Sequence, residues 1–324
     1  MKNRADFVEL IRGDISESVH SGMMVMLAPD GSVAGHAGDI TSAMFPRSTS
    51  KLMQAAAMVR LGLNLEPRLL ALVASSHSGG DMHEAGAREI LEKYGVPFSA
   101  LRCTPFMPLG YSEKIAYRNA GGEPASIRSD CSGKHAGFLA TCMINGWDLE
   151  TYLEPTHPLQ VAISNELSLL SGDPVTHTTV DGCGAPLLAI TLTGLAQAFR
   201  AGVVSDPSEP VRKVADAMRA FPEMVGGVGR EVTVAMQSLP GLLAKDGAEC
   251  VIAMALSDGR ACAFKIADGG QRAVGVTTKA ILEVWGADAD VLSHMRIDQV
   301  LGGGKPVGQL QATQLVRDLA GLVA

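Results

Sequence analysis

Sequence patterns typical of β-strands lie near both ends of this chain, whereas helical patterns fill its long middle part. Residues 21–27 and 32–36 are apolar runs on either side of a Pro-Asp-Gly turn, and this arrangement predicts two strands joined by a tight turn. Residues 250–256 and 261–266 flank a Ser-Asp-Gly turn and predict a second hairpin. Strands at both ends with helices between them predict an α/β fold, in which one sheet joins N-terminal and C-terminal segments and a helical lobe is inserted.

The helical part of the chain is recognised by apolar residues at helical spacing. The predicted helices cover residues 50–63, 66–75, 83–94, 133–145, 157–170, 186–201, 209–220 and 277–285. No repeat or long Pro/Gly/Ser linker divides the sequence, so we predict a single domain over residues 1–324, with the sheet at about 20–45 and 240–286 and the helical region at about 48–220. A catalytic cleft between sheet and helices is the natural arrangement.

Composition excludes several classes of function. With 27 Lys and Arg against 34 Asp and Glu, the net charge is −7, and such a surface does not attract nucleic acid. No apolar run is long enough to span a membrane, and the N-terminal sequence lacks the apolar segment of a secretory signal. We therefore predict a cytoplasmic protein without membrane or nucleic-acid partners. Its six cysteines include no CxxC pair, and disulfides are not expected.

A serine and a lysine stand one helical turn apart at the start of the predicted helix 50–63. Ser48 and Lys51 therefore lie on one face, and a neutral lysine can take the proton of a serine nucleophile. The ordinary lysine pKa of about 10.4 must then fall by about three pH units, which burial and a second cation nearby would achieve. The alternative interpretation of Ser48 is an ordinary helix cap.

Two later segments add polar groups to this pair. The hydroxyl-rich sequence SSHSGG at residues 75–80 follows an apolar helix, and Lys245 precedes the predicted strand near Cys250. Taken alone, these segments are explained equally well by capping hydroxyls and a surface turn. Their order along the chain, however, is the layout of penicillin-recognising serine enzymes: Ser-x-x-Lys, then a serine loop, then Lys-x-Gly.

Two cysteines occur in glycine-containing loops that are predicted to open helices. Cys131 lies in SDCSGKH and Cys183 in TTVDGCGAP, and a helix N-terminus stabilises a thiolate. Together with Lys134 or His135 they provide the sulfur and nitrogen ligands that zinc prefers. The alternative is that both cysteines are small buried apolar residues and that Asp181 caps its helix.

Six blocks of sequence occur in one order along the chain. They are RSTSK (47–51), SSHSGG (75–80), CSGKHAGF (131–138), HPLQ (157–160), DGCGAP (181–186) and KDGAE (245–249). In these blocks the sequence resembles the asparaginase II family, the rhizobial-type or class 3 L-asparaginases, over about residues 20–300. The resemblance implies a fold like that of serine β-lactamases and penicillin-binding proteins, with a mainly antiparallel sheet. It also implies hydrolysis of L-asparagine to L-aspartate and ammonia, and we expect a homodimer.

The resemblance further implies two Ser–Lys tandems beside a zinc site. The expected catalytic residues are Ser48, Lys51, Ser76 and Lys245. The second serine is either Ser76 or Ser78, and Ser76 is favoured. The implied zinc ligands are Cys131, Lys134 and Cys183, with water or substrate at the open position. The residues expected to bind substrate are Arg47, Ser78, His135 and Asp181. Zinc is expected to orient the substrate and not to generate hydroxide.

Two other functions fit parts of the sequence. A β-lactamase or penicillin-binding enzyme would share the Ser–Lys layout, but those enzymes work outside the cytoplasm and usually carry Asn in the middle block, which SSHS lacks. A non-catalytic zinc-binding relative would keep the cleft without turnover, and the presence of Ser48, Lys51 and Lys245 argues against it. The middle block ends in Gly80, where the family pattern has an acidic residue.

Overall fold

The structure is a computed structural model that describes residues 3–324. Its strands are β1 (Ala5–Arg12), β2 (Ile15–Leu27), β3 (Val33–Ala37), β4 (Thr178–Val180), β5 (Pro186–Leu188), β6 (Leu243–Gly247), β7 (Val251–Ala255), β8 (Ala261–Ile266), β9 (Val300–Gly302) and β10 (Lys305–Ala312). Eight of them form one antiparallel sheet with the order β6-β7-β8-β2-β1-β10-β9, and β3 pairs with β2. Strands β4 and β5 form a separate hairpin.

Helices fill most of the chain between β3 and β6. They are α1 (Lys51–Arg60), α2 (Pro67–Val73), α3 (Asp81–Lys93), α4 (Tyr111–Asn119), α5 (Ser132–Asn145), α6 (Pro158–Ser171), α7 (Leu192–Val204), α8 (Pro210–Ala220), α9 (Pro222–Val225) and α10 (Glu231–Ser238). Three more follow the sheet strand β8, namely α11 (Arg272–Val284), α12 (Ala289–Ser293) and α13 (Gln314–Gly321). Short 3₁₀ turns occur at Arg47–Ser50, Phe98–Ala100, Ser126–Arg128 and Ala248–Cys250.

The pairing of β2 with β8 joins the two ends of the chain, as the sequence predicts. Gly22 lies opposite Ile266 and Leu27 lies opposite Ala261. Every residue of β7 and β8 is buried, and α7 packs against both strands and against β2. The mixed α/β architecture, with an antiparallel sheet from both chain ends and a helical lobe, is therefore confirmed. The prediction of one domain over residues 1–324 stays a prediction, and residues 1 and 2 lie outside the described range.

One predicted helix is wrong in its N-terminal part, and this changes the surroundings of Cys183 and Asp181. The predicted helix 186–201 begins only at Leu192, because residues 186–188 pair with residues 178–180 as strand β5. Cys183 consequently lies in a hairpin turn and not at a helix N-terminus, and Asp181 accepts a hydrogen bond from Gly182 N at 2.9 Å instead of capping a helix. These strands are three residues long, too short to show an alternating pattern.

The sheet is also wider than the sequence predicts. Strands β1, β9 and β10 add one side of it, at positions 5–12 and 300–312. Most of β10 is exposed, so it lacks the apolar alternation by which a strand is recognised. Among the helices of residues 3–324, none has the length and apolarity that crossing a membrane requires.

Candidate active site

Ser48 lies where the chain turns from the sheet region into α1. The 3₁₀ turn Arg47–Ser50 runs directly into that helix, and Ser48 is 9% exposed. Arg47, the residue before it, has φ of 53°, in the left-handed region that is unfavourable for a residue with a side chain. Such strained positions concentrate at functional sites, where the surrounding structure holds them in place.

Lys51 is buried at the centre of the site, 1% exposed. Its Nζ donates hydrogen bonds to Ser75 O at 2.5 Å, to Ser76 Oγ at 3.0 Å and to Cys131 Sγ at 3.1 Å. Lys51 therefore pairs with the serine that was assigned to the second tandem. It also joins the serine loop to the cysteine cluster, two segments that the sequence treats separately.

The two lysines of the predicted tandems have pKa values that move in opposite directions. Burial lowers the pKa of Lys51, but the neighbouring Cys131 and Asp130 raise it by more, so that it lies above the ordinary value. Burial also lowers the pKa of Lys245, and the positive charges of Lys51 and Arg230 keep it below the ordinary value although Asp246 opposes them. The expectation that Lys51 is the lysine with a depressed pKa therefore differs from the structure, because Cys131 and Asp130 lie beside it.

Lys245 lies fully buried in β6 and is held by its neighbour along the chain. Its Nζ donates to Asp246 O at 2.7 Å and to Asp246 Oδ1 at 2.6 Å. The other oxygen of this carboxylate accepts from Arg230 Nη2 at 3.0 Å. Although burial raises the pKa of Asp246, Lys245 and Arg230 lower it by more, so this carboxylate stays ionised beside the buried amine.

Ser76 and Ser78 have different surroundings in the serine loop. Ser76 meets Lys51, whereas the Ser78 hydroxyl donates to Gly226 O at 3.0 Å and is buried there. A side chain at Gly80 would lie 3.3 Å from Cγ of Glu113, whose carboxylate comes from α4. The acidic side chain of Glu113 therefore lies beside position 80, where the resemblance implies an acidic residue.

The cysteine cluster brings Cys131, Lys134 and Cys183 together in the interior. Lys134 Nζ donates to Cys183 Sγ at 3.1 Å, and Cys131 occupies the N-cap position of α5 without a capping hydrogen bond from its side chain. The hydrogen bond from Cys131 lowers the pKa of Cys183, and Lys134 lowers it further although burial raises it. The same hydrogen bond and burial raise the pKa of Cys131. One thiolate and one thiol, held by an ammonium group, form this cluster.

The donor set of this cluster fits a zinc ion by its chemistry. Two sulfur atoms and one amine nitrogen are ligands that zinc accepts, and three protein ligands leave one position open. Within residues 3–324, no three His, Cys, Asp or Glu side chains gather as a metal-binding group, so zinc here depends on Lys134 as the third ligand. Lys134 must then lose its proton, whereas the neighbouring Cys183 and Cys131 raise its pKa despite burial.

The residues expected to bind substrate occupy two different environments. Arg47 Nε donates to Asp181 Oδ1 at 2.9 Å, and both side chains are partly exposed at the mouth of the site. His135 is completely buried, and its Nδ1 lies 2.9 Å from the Tyr152 hydroxyl. Its Nε2 has no hydrogen-bond partner among the described residues. Arg47 and Asp181 are therefore accessible to a small molecule, whereas His135 lies behind the cysteine cluster.

The sequence pattern that defines the L-asparaginase II family matches residues 8–312. The chain belongs to this family. The resemblance found from the six sequence blocks is thereby confirmed, and the chain is a member of an amidohydrolase family. No curated protein matches the sequence.

The similarity of this chain to solved structures is weaker than its match to the L-asparaginase II family pattern. The structure of Mglu in its native form at 4.3 M NaCl has 14% sequence identity and a TM-score of 0.45, and the match covers 82% of this chain and 61% of that chain. The present chain thus spans less than two thirds of the length of Mglu. A Bacillus glutaminase, also at 4.3 M NaCl, has 14% identity and a TM-score of 0.37, and the match covers 83% of this chain and 92% of that chain.

Three charged residues of the candidate site were not predicted from the sequence. Asp130 raises the pKa of Lys51, and Asp246 and Arg230 surround Lys245. Asp130 and Asp246 each adjoin a residue that the sequence had singled out, and this adjacency was an available signal. Arg230 had none, because only the folding of α10 against β6 brings it to the site.

Proposed function

We propose that this protein hydrolyses L-asparagine to L-aspartate and ammonia through an acyl-enzyme on Ser48. The observation that carries the proposal is the buried amine of Lys51, which contacts Ser76 and Cys131 and lies one turn from Ser48. Three lysines are buried here: Lys51 contacts a hydroxyl and a thiol group, Lys134 contacts the sulfur of Cys183, and Lys245 contacts the carboxylate of Asp246. Burying ammonium groups is costly, and such arrangements with separated pKa values are typical of acid–base catalysis.

The separated pKa values of the two tandem lysines suggest their roles. Lys245, with the lowered pKa, is the proton acceptor, and Lys51, with the raised pKa, is the proton donor. Ser48 Oγ attacks the side-chain amide carbon and gives up its proton to the amine. The carbon–nitrogen bond then breaks, and the leaving nitrogen takes a proton from Lys51 and departs as ammonia. Water then attacks the ester carbon and gives a proton to the neutral amine of Lys51. The bond to Ser48 Oγ breaks, Oγ takes back its proton from Lys245, and aspartate is released with both lysines in their starting protonation states.

The ion pair at the mouth of the site suits an amino-acid substrate. Arg47 and Asp181 place one positive and one negative group about 2.8 Å apart. A free amino acid carries one carboxylate and one ammonium group, so it can exchange both charges with this pair. Zinc bound by Cys131, Lys134 and Cys183 would supply a Lewis acid that orients a substrate oxygen.

The substrate assignment is tested by ammonia release from L-asparagine, L-glutamine and a β-aspartyl peptide, with a chromogenic β-lactam as the fourth compound. We expect kcat/KM to be highest for L-asparagine. A pocket distinguishes one methylene group by about 1–3 kcal/mol, so we expect L-glutamine to be hydrolysed about tenfold to two-hundredfold less efficiently. Turnover of the β-lactam without ammonia release from any amide would overturn the assignment.

Replacing Asp246 by asparagine tests the role of Lys245 through the pH profile. The Asp246 carboxylate stabilises the charged form of Lys245 and so holds its pKa up. Asp246→Asn therefore lowers the pKa of Lys245, and the neutral amine persists at lower pH. We expect the acidic limb of kcat/KM to move by about one pH unit toward lower pH. Asp258→Asn, in the exposed turn between β7 and β8, is the control. A limb that stays in place or moves upward contradicts the role of Lys245.

A further inference from the structure

A second strained segment adjoins the turn that carries Ser48. Glu249 has φ of 59° and Cys250 has φ of 57°, and with Arg47 they are the non-glycine residues of positive φ within residues 3–324. Two consecutive left-handed residues with side chains are unfavourable, so something must hold them. The segment 247–250 that contains them connects β6 to β7.

This segment touches the backbone of the candidate nucleophile. A Cβ at Gly247 would lie 2.9 Å from Pro46 O and 3.2 Å from Ser48 N, so only a glycine allows this approach. The turn Ala248–Cys250 also contacts the turn Arg47–Ser50. A shift of the segment 247–250 would therefore move the wall of the cleft beside the Ser48 amide.

A buried lysine that the proposed reaction does not use lies under this segment. Lys265 is 7% exposed, and its position in β8 is fixed by pairing with Val251 on one side and Met23 on the other. Its Nζ donates to Glu249 O at 2.6 Å. Burial and the charge of Arg47 lower the pKa of Lys265, whereas Glu249 and Cys250 raise it. These three residues therefore lie around the amine of Lys265.

We propose that Lys265 is a positioning residue, whose ammonium group holds the left-handed Glu249–Cys250 turn and thereby sets the cleft wall against Ser48. The inference rests on the proposed function for its catalytic consequence. The hydrogen bond to Glu249 O is formed only when the carbonyl points toward β8, and the left-handed backbone at Glu249 and Cys250 accompanies that orientation. Lys265 acts on the reaction through this turn and not through contact with substrate.

The test compares Lys265→Met, Lys265→Arg and the double variant Lys265→Met/Glu249→Gly. Lys265→Met keeps an unbranched side chain out to Cε and removes the donor, and we expect kcat for L-asparagine to fall by at least about tenfold while KM changes less than about threefold. Lys265→Arg should recover most of the loss. Glycine adopts the left-handed conformation without penalty, so Glu249→Gly in the methionine background should recover about a third of kcat. Lys93→Met is the control, because Lys93 donates to Asn64 O far from the site.

A second readout does not depend on turnover. We expect the rate of amide hydrogen exchange in residues 246–256 to increase by about tenfold in Lys265→Met and to remain unchanged in Lys265→Arg and in Lys93→Met. The exchange rate of these residues measures the loosening of the turn directly. Unchanged exchange in Lys265→Met, or a loss seen in KM without recovery by Glu249→Gly, overturns the proposal. If the parent protein releases no ammonia from L-asparagine, the proposed function fails, and the exchange measurement alone decides the role of Lys265.

Discussion

We expect Ser48→Ala to lower kcat for L-asparagine by about a thousandfold or more, without a comparable change in thermal stability. The large effect is expected because removal of the nucleophile from a cooperating set of groups abolishes the covalent route. The stability is expected to hold because the alanine keeps the backbone of the 3₁₀ turn and removes only a hydroxyl group. Ammonia release and thermal unfolding, measured on the same preparation, check both parts.

Two further serine variants are needed to interpret the loss of activity in Ser48→Ala. Ser76→Ala removes the hydroxyl that accepts from Lys51, and we expect a smaller loss of about a hundredfold, because proton transfer and not bond formation is impaired. Ser238→Ala is the control, because Ser238 is also buried and its hydroxyl donates to the nearby backbone oxygen of Ala235. An acyl-enzyme trapped by acid quench and found by mass spectrometry on Ser76 instead of Ser48 would contradict the assignment of the nucleophile.

If the protein binds zinc as proposed, we expect Cys131→Ala and Cys183→Ala each to lower the zinc content of the purified protein from about one ion per chain to less than about a tenth. Losing one of three protein ligands removes most of the binding free energy of such a site, and a lysine ligand is too weak to compensate. Elemental analysis after dialysis measures the zinc content directly and independently of activity. Cys142→Ala, at a buried cysteine of α5 outside the cluster, is the matched control.

The kinetic effect of chelation follows from the role given to zinc. If the ion orients substrate and the lysines carry the proton transfers, chelation raises KM more than it lowers kcat. A parent protein without bound zinc, or cysteine variants that keep as much zinc as the parent protein, would exclude the metal site. A loss confined to kcat would instead show that the ion takes part in the chemical step.

Much of the candidate site can be predicted from the sequence, because its residues belong to short motifs. Ser48 and Lys51 are one helical turn apart, and Cys131 and Lys134 open one helix, so local geometry alone places each pair. The two hairpin patterns likewise predict that the chain ends share a sheet, which the pairing of β2 with β8 confirms. Periodicity of apolar residues determines these elements before any long-range contact forms.

Only the tertiary structure decides which of these motifs meet and what charge each group carries. Lys51 bonds to Ser76 and Cys131, which are 25 and 80 positions away along the chain, and the neighbouring Asp130 and Cys131 raise its pKa above the ordinary value. The position of Lys265 is likewise decided only by the tertiary structure, because nothing in the sequence around it indicates that its amine lies under the strained turn beside Ser48. Local sequence determines a helix or a turn through nearest neighbours, whereas a pKa depends on burial and on charges brought together through space.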